Sequence, residues 1–293
     1  MRVRVSVGVP AYNEEKTIRQ LLEAILSQPF TDATLEEVVV DTSGSTDATN
    51  IKVIEMIQAD SRIKLISEKK RIGKSAALNT ILQHAVGEVM VFIDGDVVLG
   101  ESCIPILIKP FLINKEAGVS SGNVMPIIEG NTFFDFMSRF IRELHHELCI
   151  FLMRKNIVPK VNGTFYAVRK VVVTSFPFYV VSDDEYASWC AQSKGYKVVY
   201  VPDAVVYTKD PISFRDFITW QKRIIAGQIY IKKHFDYIVP TMRPSILLPV
   251  SLKLVKKHWR KIPQILTITL LASVPLFLAF KMFFQRKIPY IYG

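Results

Sequence analysis

The sequence predicts an α/β protein with a largely parallel sheet, and three observations carry that prediction. Short β-rich runs alternate with segments of helical periodicity through the first hundred residues, the pattern of successive βαβ units. Three of those runs end in polar loops, at Pro10–Glu15, Asp41–Asp47 and Asp94–Asp96. In parallel sheets ligands bind beyond the carboxyl ends of the strands, so these loops are expected to meet on one rim. Hydrophobic residues make up 49% of the 293, enough for a sizeable core and too many for a disordered chain.

Val3–Val9 is β-rich and stops at Pro10. Lys16–Leu26 places Ile18, Leu21, Leu22 and Ile25 on one helical face. Glu37–Val40 reads as a second strand, and the capping residues of Thr42–Asp47 introduce a helix over Ile51–Ile57. Ile63–Ile66 is a third strand, Ala76–Ala85 a helix and Glu88–Ile93 a fourth strand. Asn131–Arg154 is a long aromatic-rich helix, Val161–Val168 a further strand, Ser182–Ser193 a helix and Lys197–Val201 a strand. No internal repeat or low-complexity stretch interrupts them.

The rim loops hold the residue types that could do chemistry. Asp94 and Asp96 flank Gly95 at a strand end. Such a pair either closes a turn or shares one Mg²⁺ or Mn²⁺, hard cations that also bridge diphosphate oxygens. Asp183, Asp184 and Glu185 open a helix, where acidic residues cap and oppose the dipole. A carboxylate there could equally serve as general base toward an acceptor hydroxyl. Tyr12, Asn13 and Glu14 either form a turn or stack on and bond to a nucleobase. Arg71, Lys74 and Arg223 could pair with phosphates, though isolated basic residues are usually solvated surface. His145-His146-Glu147-Leu148 lacks the second histidine of a zinc helix, and the aromatic run from Phe133 to Phe151 reads as core before it reads as a groove.

Charge is unevenly placed. From Thr241 onward there are nine Lys or Arg and no Asp or Glu, so nearly all of the net +10 sits in the tail. Basic residues mixed with apolar runs point to an anionic membrane surface rather than to nucleic acid. Ile262–Phe280 carries no charge, close to the ~20 residues that span a bilayer. The expectation is a membrane-associated segment over 236–293 with a transmembrane helix at 262–284. Five basic residues precede that stretch, which puts the N-terminal domain, 1–235, on the cytoplasmic side of the cell membrane. Cys103, Cys149 and Cys190 are widely spaced, neither a disulfide framework nor a zinc pattern.

Seven segments, in order, resemble the family 2 glycosyltransferases of GT-A fold. They are Val9-Pro10-Ala11-Tyr12-Asn13-Glu14-Glu15, Gly44-Ser45-Thr46-Asp47, Arg71-Ile72-Gly73-Lys74 running to Asn79, Ala85-Val86-Gly87-Glu88 leading to Asp94 and Asp96, Asn162-Gly163-Thr164 running to Arg169, Asp183-Asp184, and Gly195-Tyr196-Lys197 running to Ala204. The resemblance implies a Rossmann-like mixed sheet, a UDP- or GDP-sugar donor, and an inverting displacement assisted by Mn²⁺ or Mg²⁺. It places the nucleotide against Pro10, Ala11, Tyr12, Asn13, Glu14, Asp41, Ser43, Arg71, Lys74, Asp94 and Gly95, and the metal on Asp94 and Asp96. Asp184, beside Asp183, becomes the base. Gly163, Thr164 and Arg223 fall to the acceptor and diphosphate. Two departures stand out. Thr42 and Ser43 replace the paired aspartates common in the family, with Asp41 one step earlier. Trp220-Gln221-Lys222-Arg223-Ile224 keeps only the arginine of the processive synthases' Gln-x-x-Arg-Trp. A single-addition enzyme is expected, with a lipid-linked acceptor suggested by the tail. A processive polysaccharide synthase and a sugar nucleotidyltransferase are the alternatives.

Overall fold

A computed structural model describes residues 2–178 and 182–284, with the backbone alone for residues 241 and 274–284. The strands are β1 (Val3–Pro10), β2 (Ala33–Asp41), β3 (Ile63–Ile66), β4 (Val89–Ile93), β5 (Val98–Leu99), β6 (Ala117–Pro126), β7 (Phe165–Arg169) and β8 (Lys197–Thr208). They form one sheet in the order β3-β2-β1-β4-β7-β6-β8-β5. β1 pairs in parallel with β2 and β4, β2 with β3, and β6 with β8, whereas β7 runs antiparallel between β4 and β6. The sheet is thus parallel in its first half and mixed in its second.

The helices are α1 (Ile18–Leu26), α2 (Thr49–Ala59), α3 (Lys74–His84), α4 (Cys103–Ile113), α5 (Phe133–Arg154), α6 (Asp183–Ser193), α7 (Phe214–Phe235), α8 (Pro244–Lys257) and α9 (Ile262–Phe284). The apolar face of α1 foreseen in the sequence is buried in full, with Ile18, Leu21, Leu22 and Ile25 packed beside Val5, Val7 and Val9 of β1. On the opposite face Leu78, Ile81 and Leu82 of α3 meet Met90, Phe92, Tyr166 and Ala187. Burial of such side chains contributes roughly 1.5–3 kcal/mol each.

Four elements, α4, β5, β6 and α7, have no counterpart in the sequence reading, and two of them have a clear cause. α4 holds Pro105 and Pro110 within a run that is apolar except for Lys109, and proline ordinarily ends a helix. β6 reads Ala-Gly-Val-Ser-Ser-Gly-Asn-Val-Met-Pro, without the apolar alternation of a strand. Its glycines explain why. A Cβ on Gly118 would lie 2.4 Å from the Tyr196 Cβ, and one on Gly122 2.3 Å from the Phe165 ring. The strand is short of side chains because its neighbours fill that space.

The tail packs on the α/β body. Ile246 and Val250 of α8 meet Leu148 and Leu152 of α5, while Leu254, Ile265 and Ile268 meet Met137, Phe140 and Phe217. The aromatic run of α5 is therefore largely core, and the split at 235 is not a split in packing. Among the described residues no helix is long and apolar enough to cross a membrane. The span expected over 262–284 is thus not shown, and one stripe of the first half of α9, Ile265 and Ile268, packs on α5 and α7. Its second half, 274–284, and the flanking Arg286 and Lys287 lie outside the described side chains.

Candidate functional site

The three polar loops do converge. The Ala11 amide donates to the Asp41 carbonyl at 2.8 Å, tying the end of β1 to the end of β2. Asn13, in the left-handed region at φ 59°, accepts from the Thr46 amide at 2.8 Å through Oδ1. The Glu14 amide donates to Thr49 Oγ1 at 2.8 Å. Asp41 is buried and accepts from the Ser43 amide at 2.9 Å, and Ser43 Oγ accepts from the Glu68 amide at 3.1 Å. Arg71 lies over the Tyr12 ring, 3.7 Å from its centroid, a cation–π stack. Gly44 makes that approach possible: its φ is +76°, and a Cβ there would sit 2.5 Å from the Arg71 nitrogen.

Asp94 and Asp96 follow β4. Gly95 between them passes close to the first loop, where an added Cβ would lie 3.0 Å from Glu14 Cγ and 3.1 Å from Ala11 Cβ. Its carbonyl accepts from Thr17 Oγ1 at 2.9 Å. The carboxylates crowd one another. Burial and then the Asp96 charge push the Glu14 carboxyl up to about 7. Enclosure by protein and then the Asp94 charge raise the Asp96 carboxyl, although its side chain still meets solvent. Hard oxygen donors with uncompensated negative charge fit a divalent cation. Among the described residues no group of three or more His, Cys, Asp or Glu is placed to hold a metal alone, so a cation at Asp94 and Asp96 would take further oxygens from its substrate.

Lys74, the first residue of α3, joins this pair to the second acidic group. Its Nζ lies 2.8 Å from Asp94 Oδ1 and 3.6 Å from Asp183 Oδ1, and donates to the Gly163 carbonyl at 3.0 Å. Its enclosure disfavours the charge, but Asp183 and then Asp94 outweigh that and hold its pKa above the ordinary lysine value. Asp183 is buried and accepts from the Tyr166 hydroxyl at 2.8 Å; burial raises its carboxyl to about 6 against the opposing pull of Lys74. Asp184, half-buried, accepts from the Gly163 amide at 3.1 Å and from the Glu185 amide at 2.8 Å. The Thr164 carbonyl accepts from the Asp94 amide at 3.2 Å. Gly163 and Thr164 therefore lie between the two acidic groups. Arg223 stands apart, exposed on α7 one turn before Gly227, where α7 comes so close to Ser182 that an added Cβ would overlap the Ser182 hydroxyl.

Three contributors were absent from the sequence reading. Tyr166 holds Asp183, and Lys160 lies 3.1 Å from Glu185 Oε1. Arg142 forms a buried fork with Asp210, its Nε donating to Oδ2 at 3.0 Å and its Nη2 to Oδ1, with the Trp220 ring 5.7 Å away. Only the acidic character of Glu185 was visible beforehand; the basic partners come from remote segments. Replacing Arg142 with Met strands the Asp210 carboxylate, and denaturant unfolding is expected to show a loss of about 3–5 kcal/mol.

Comparison with known proteins places this arrangement among the glycosyltransferases. The chain belongs to the Glycosyl transferase family 2, whose model matches residues 6–176. It is 28% identical over 240 residues to Glycosyltransferase AglE of Haloferax volcanii, covering 78% of this chain and 73% of that one. A shorter match, 37% over 92 residues, covers 31% of this chain and 34% of WfgD of Escherichia coli, a UDP-Glc:alpha-D-GlcNAc-diphosphoundecaprenol beta-1,3-glucosyltransferase. Among solved structures, mannosyltransferase PcManGT of Pyrobaculum calidifontis, in complex with GDP-Man and Mn²⁺, superposes with a TM-score of 0.63 at 24% identity, over 94% of this chain and 81% of that one. That likeness shows the shared GT-A-like fold.

Proposed function

We propose that this enzyme transfers a sugar, with inversion, from a UDP- or GDP-linked donor to a lipid-linked acceptor at the cytoplasmic face of a membrane. The observation that carries the reading is the single acidic rim bridged by Lys74. Asp94 and Asp96 stand on its donor side and the amide-anchored Asp184 on the other. Tyr12, Arg71 and Asp41 line the end where a nucleobase would lie. Asp94 and Asp96 would hold Mn²⁺ or Mg²⁺, which when bound neutralises the leaving diphosphate. Asp184 would take the proton of the acceptor hydroxyl as its oxygen bonds the anomeric carbon. The bond from that carbon to the diphosphate breaks, and its electron pair leaves with the nucleoside diphosphate. One displacement inverts the anomeric centre. PcManGT holds GDP-Man and Mn²⁺, and WfgD acts on a diphosphoundecaprenol acceptor; both support the substrate classes proposed here.

The donor reading is tested by thermal unfolding with UDP and GDP, each with and without Mn²⁺. One nucleotide is expected to raise the melting temperature by several degrees only with the metal, at a hundredfold excess over its Kd. No rise with either pair would sink it.

The membrane reading rests on the outward face of the tail. Leu248, Leu252, Trp259, Ile262, Leu266 and Leu270 are all exposed, Leu270 at 69%. They alternate with exposed Lys253, Lys256, Arg260 and Lys261. An apolar face edged by cations suits the anionic cytoplasmic leaflet, whether the helix lies along it or enters further. The full chain is expected to cosediment with phosphatidylglycerol vesicles at low salt and much less with phosphatidylcholine. Leu266→Asp with Leu270→Asp should abolish this without lowering the melting temperature. Equal binding by that double variant would remove the tail from the account.

A further inference from the structure

Behind the acidic rim lies a second cluster of titratable groups to which the transfer reaction assigns no task. Glu185, 1% exposed, is the third residue of α6 and directly follows Asp184. Its carboxylate faces Lys160 at 3.1 Å, yet neither oxygen accepts a well-aligned hydrogen bond. Lys160 belongs to the segment between α5 and β7, three residues before Gly163. Its carbonyl accepts from the Cys149 thiol at 3.4 Å, fixing the segment on α5. His145 stands 3.9 Å from the same sulfur, and burial holds its imidazole neutral, down at about 3. Tyr237, beyond α7, closes the cluster near Glu185.

The connectivity makes a ring. Lys160 pairs with Glu185, Glu185 is bonded to Asp184, Asp184 accepts from the Gly163 amide, and two residues join Gly163 back to Lys160. A buried ion pair contributes little to stability compared with apolar residues of the same size, so its presence beside a base calls for another account. Its two charges also act on Asp184. Lys160 attracts the Asp184 carboxylate, and Glu185 repels it. The other groups facing Asp184 are Lys74 from α3, Asp183 from α6 and Tyr166 from β7.

We propose that Lys160 and Glu185 are positioning residues for the base, a charge-balanced clip that holds the Gly163 amide against Asp184 and offsets the Glu185 charge there. The inference rests on the transferase reading. Lys160 removes the cost of a second carboxylate beside the base, while Glu185 keeps Lys160 from binding the base too tightly. The two single substitutions therefore act in opposite directions on its proton affinity.

The test follows kcat against pH for the full chain with Mn²⁺, a polyisoprenyl phosphate-linked sugar as acceptor, and whichever of UDP-glucose and GDP-mannose it accepts. Lys160→Met is expected to lower kcat at least tenfold and move the acid limb upward by on the order of one pH unit. Glu185→Gln should move that limb downward, and Lys160→Arg should restore the wild-type profile. KM for the donor should stay unchanged throughout, since neither residue touches the donor loops. If Lys160→Met does not fold, a downward limb in Glu185→Gln beside an unmoved limb in Lys160→Arg decides. Limbs that stay put, or that move together while kcat falls in step with melting temperature, would overturn the clip. A wild-type chain that binds nucleotide and Mn²⁺ but transfers nothing would instead bring down the transferase reading, and the clip with it.

Discussion

Asp184→Asn is expected to lower kcat by about 10²–10⁴-fold, the usual contribution of a general base, while nucleotide binding in the presence of Mn²⁺ is retained. The asymmetry comes from placement. Asp184 accepts from the Gly163 and Glu185 amides, and among the described hydrogen bonds it has none to the Pro10–Glu15 or Asp41–Asp47 loop. Asparagine keeps the side-chain shape but offers one acceptor oxygen where two amides now donate, so a modest loss of order at Gly163 accompanies the loss of the base. Asp183→Asn makes the comparison informative. Asp183 accepts from Tyr166 and faces Lys74, so its loss should disturb the Lys74 bridge and with it the donor side. Steady-state kinetics with donor and acceptor varied separately would separate the two: a kcat effect alone for Asp184, and a change in donor KM as well for Asp183. A D184N enzyme with near wild-type kcat would move the base elsewhere on the rim.

The parts of this site legible in the sequence were those fixed by local grammar. A strand run followed by Pro10, Asp41 or Asp94 marks a carboxyl end, and parallel pairing then brings the three ends together whatever else the chain does. β1 and β4 could be read because each is buried on both faces and so nearly continuous in apolar residues. β6 could not, because its neighbours' rings occupy the space its own side chains would take. α4 was hidden by its prolines. Lys160, Tyr166, Arg142 and Asp210 escaped for a different reason. Each matters through a partner between 17 and 68 residues away, and nothing in residue type or spacing announces a pairing across that distance. The tail was legible only in part: its composition showed an apolar, basic segment, but composition does not say that one stripe of α9 packs against α5 and α7.

Asp96→Ala is expected to abolish the Mn²⁺-dependent rise in melting temperature on nucleotide binding, and to cut turnover by roughly three orders of magnitude. The latter corresponds to several kcal/mol of charge stabilisation on the leaving diphosphate. The same substitution should leave the ligand-free protein as stable as before or more so. Asp94 has Lys74 at 2.8 Å as a counter-charge, whereas Asp96 forms none of the described ion pairs and adds its repulsion to Glu14. Removing a carboxylate that the fold holds against like charges relieves the fold, and a residue that destabilises its own protein is retained for a reason outside folding. Alanine at 96 should also let the Glu14 carboxyl fall back toward its ordinary value, measurable as a change in proton uptake between pH 5 and 8. The turn-closing reading of these aspartates predicts the opposite on every count: a lower melting temperature for the free chain, an intact metal response and near-normal turnover. Thermal unfolding of the variant, run with and without nucleotide and Mn²⁺, therefore separates a carboxylate that shapes the loop from one that waits for a cation.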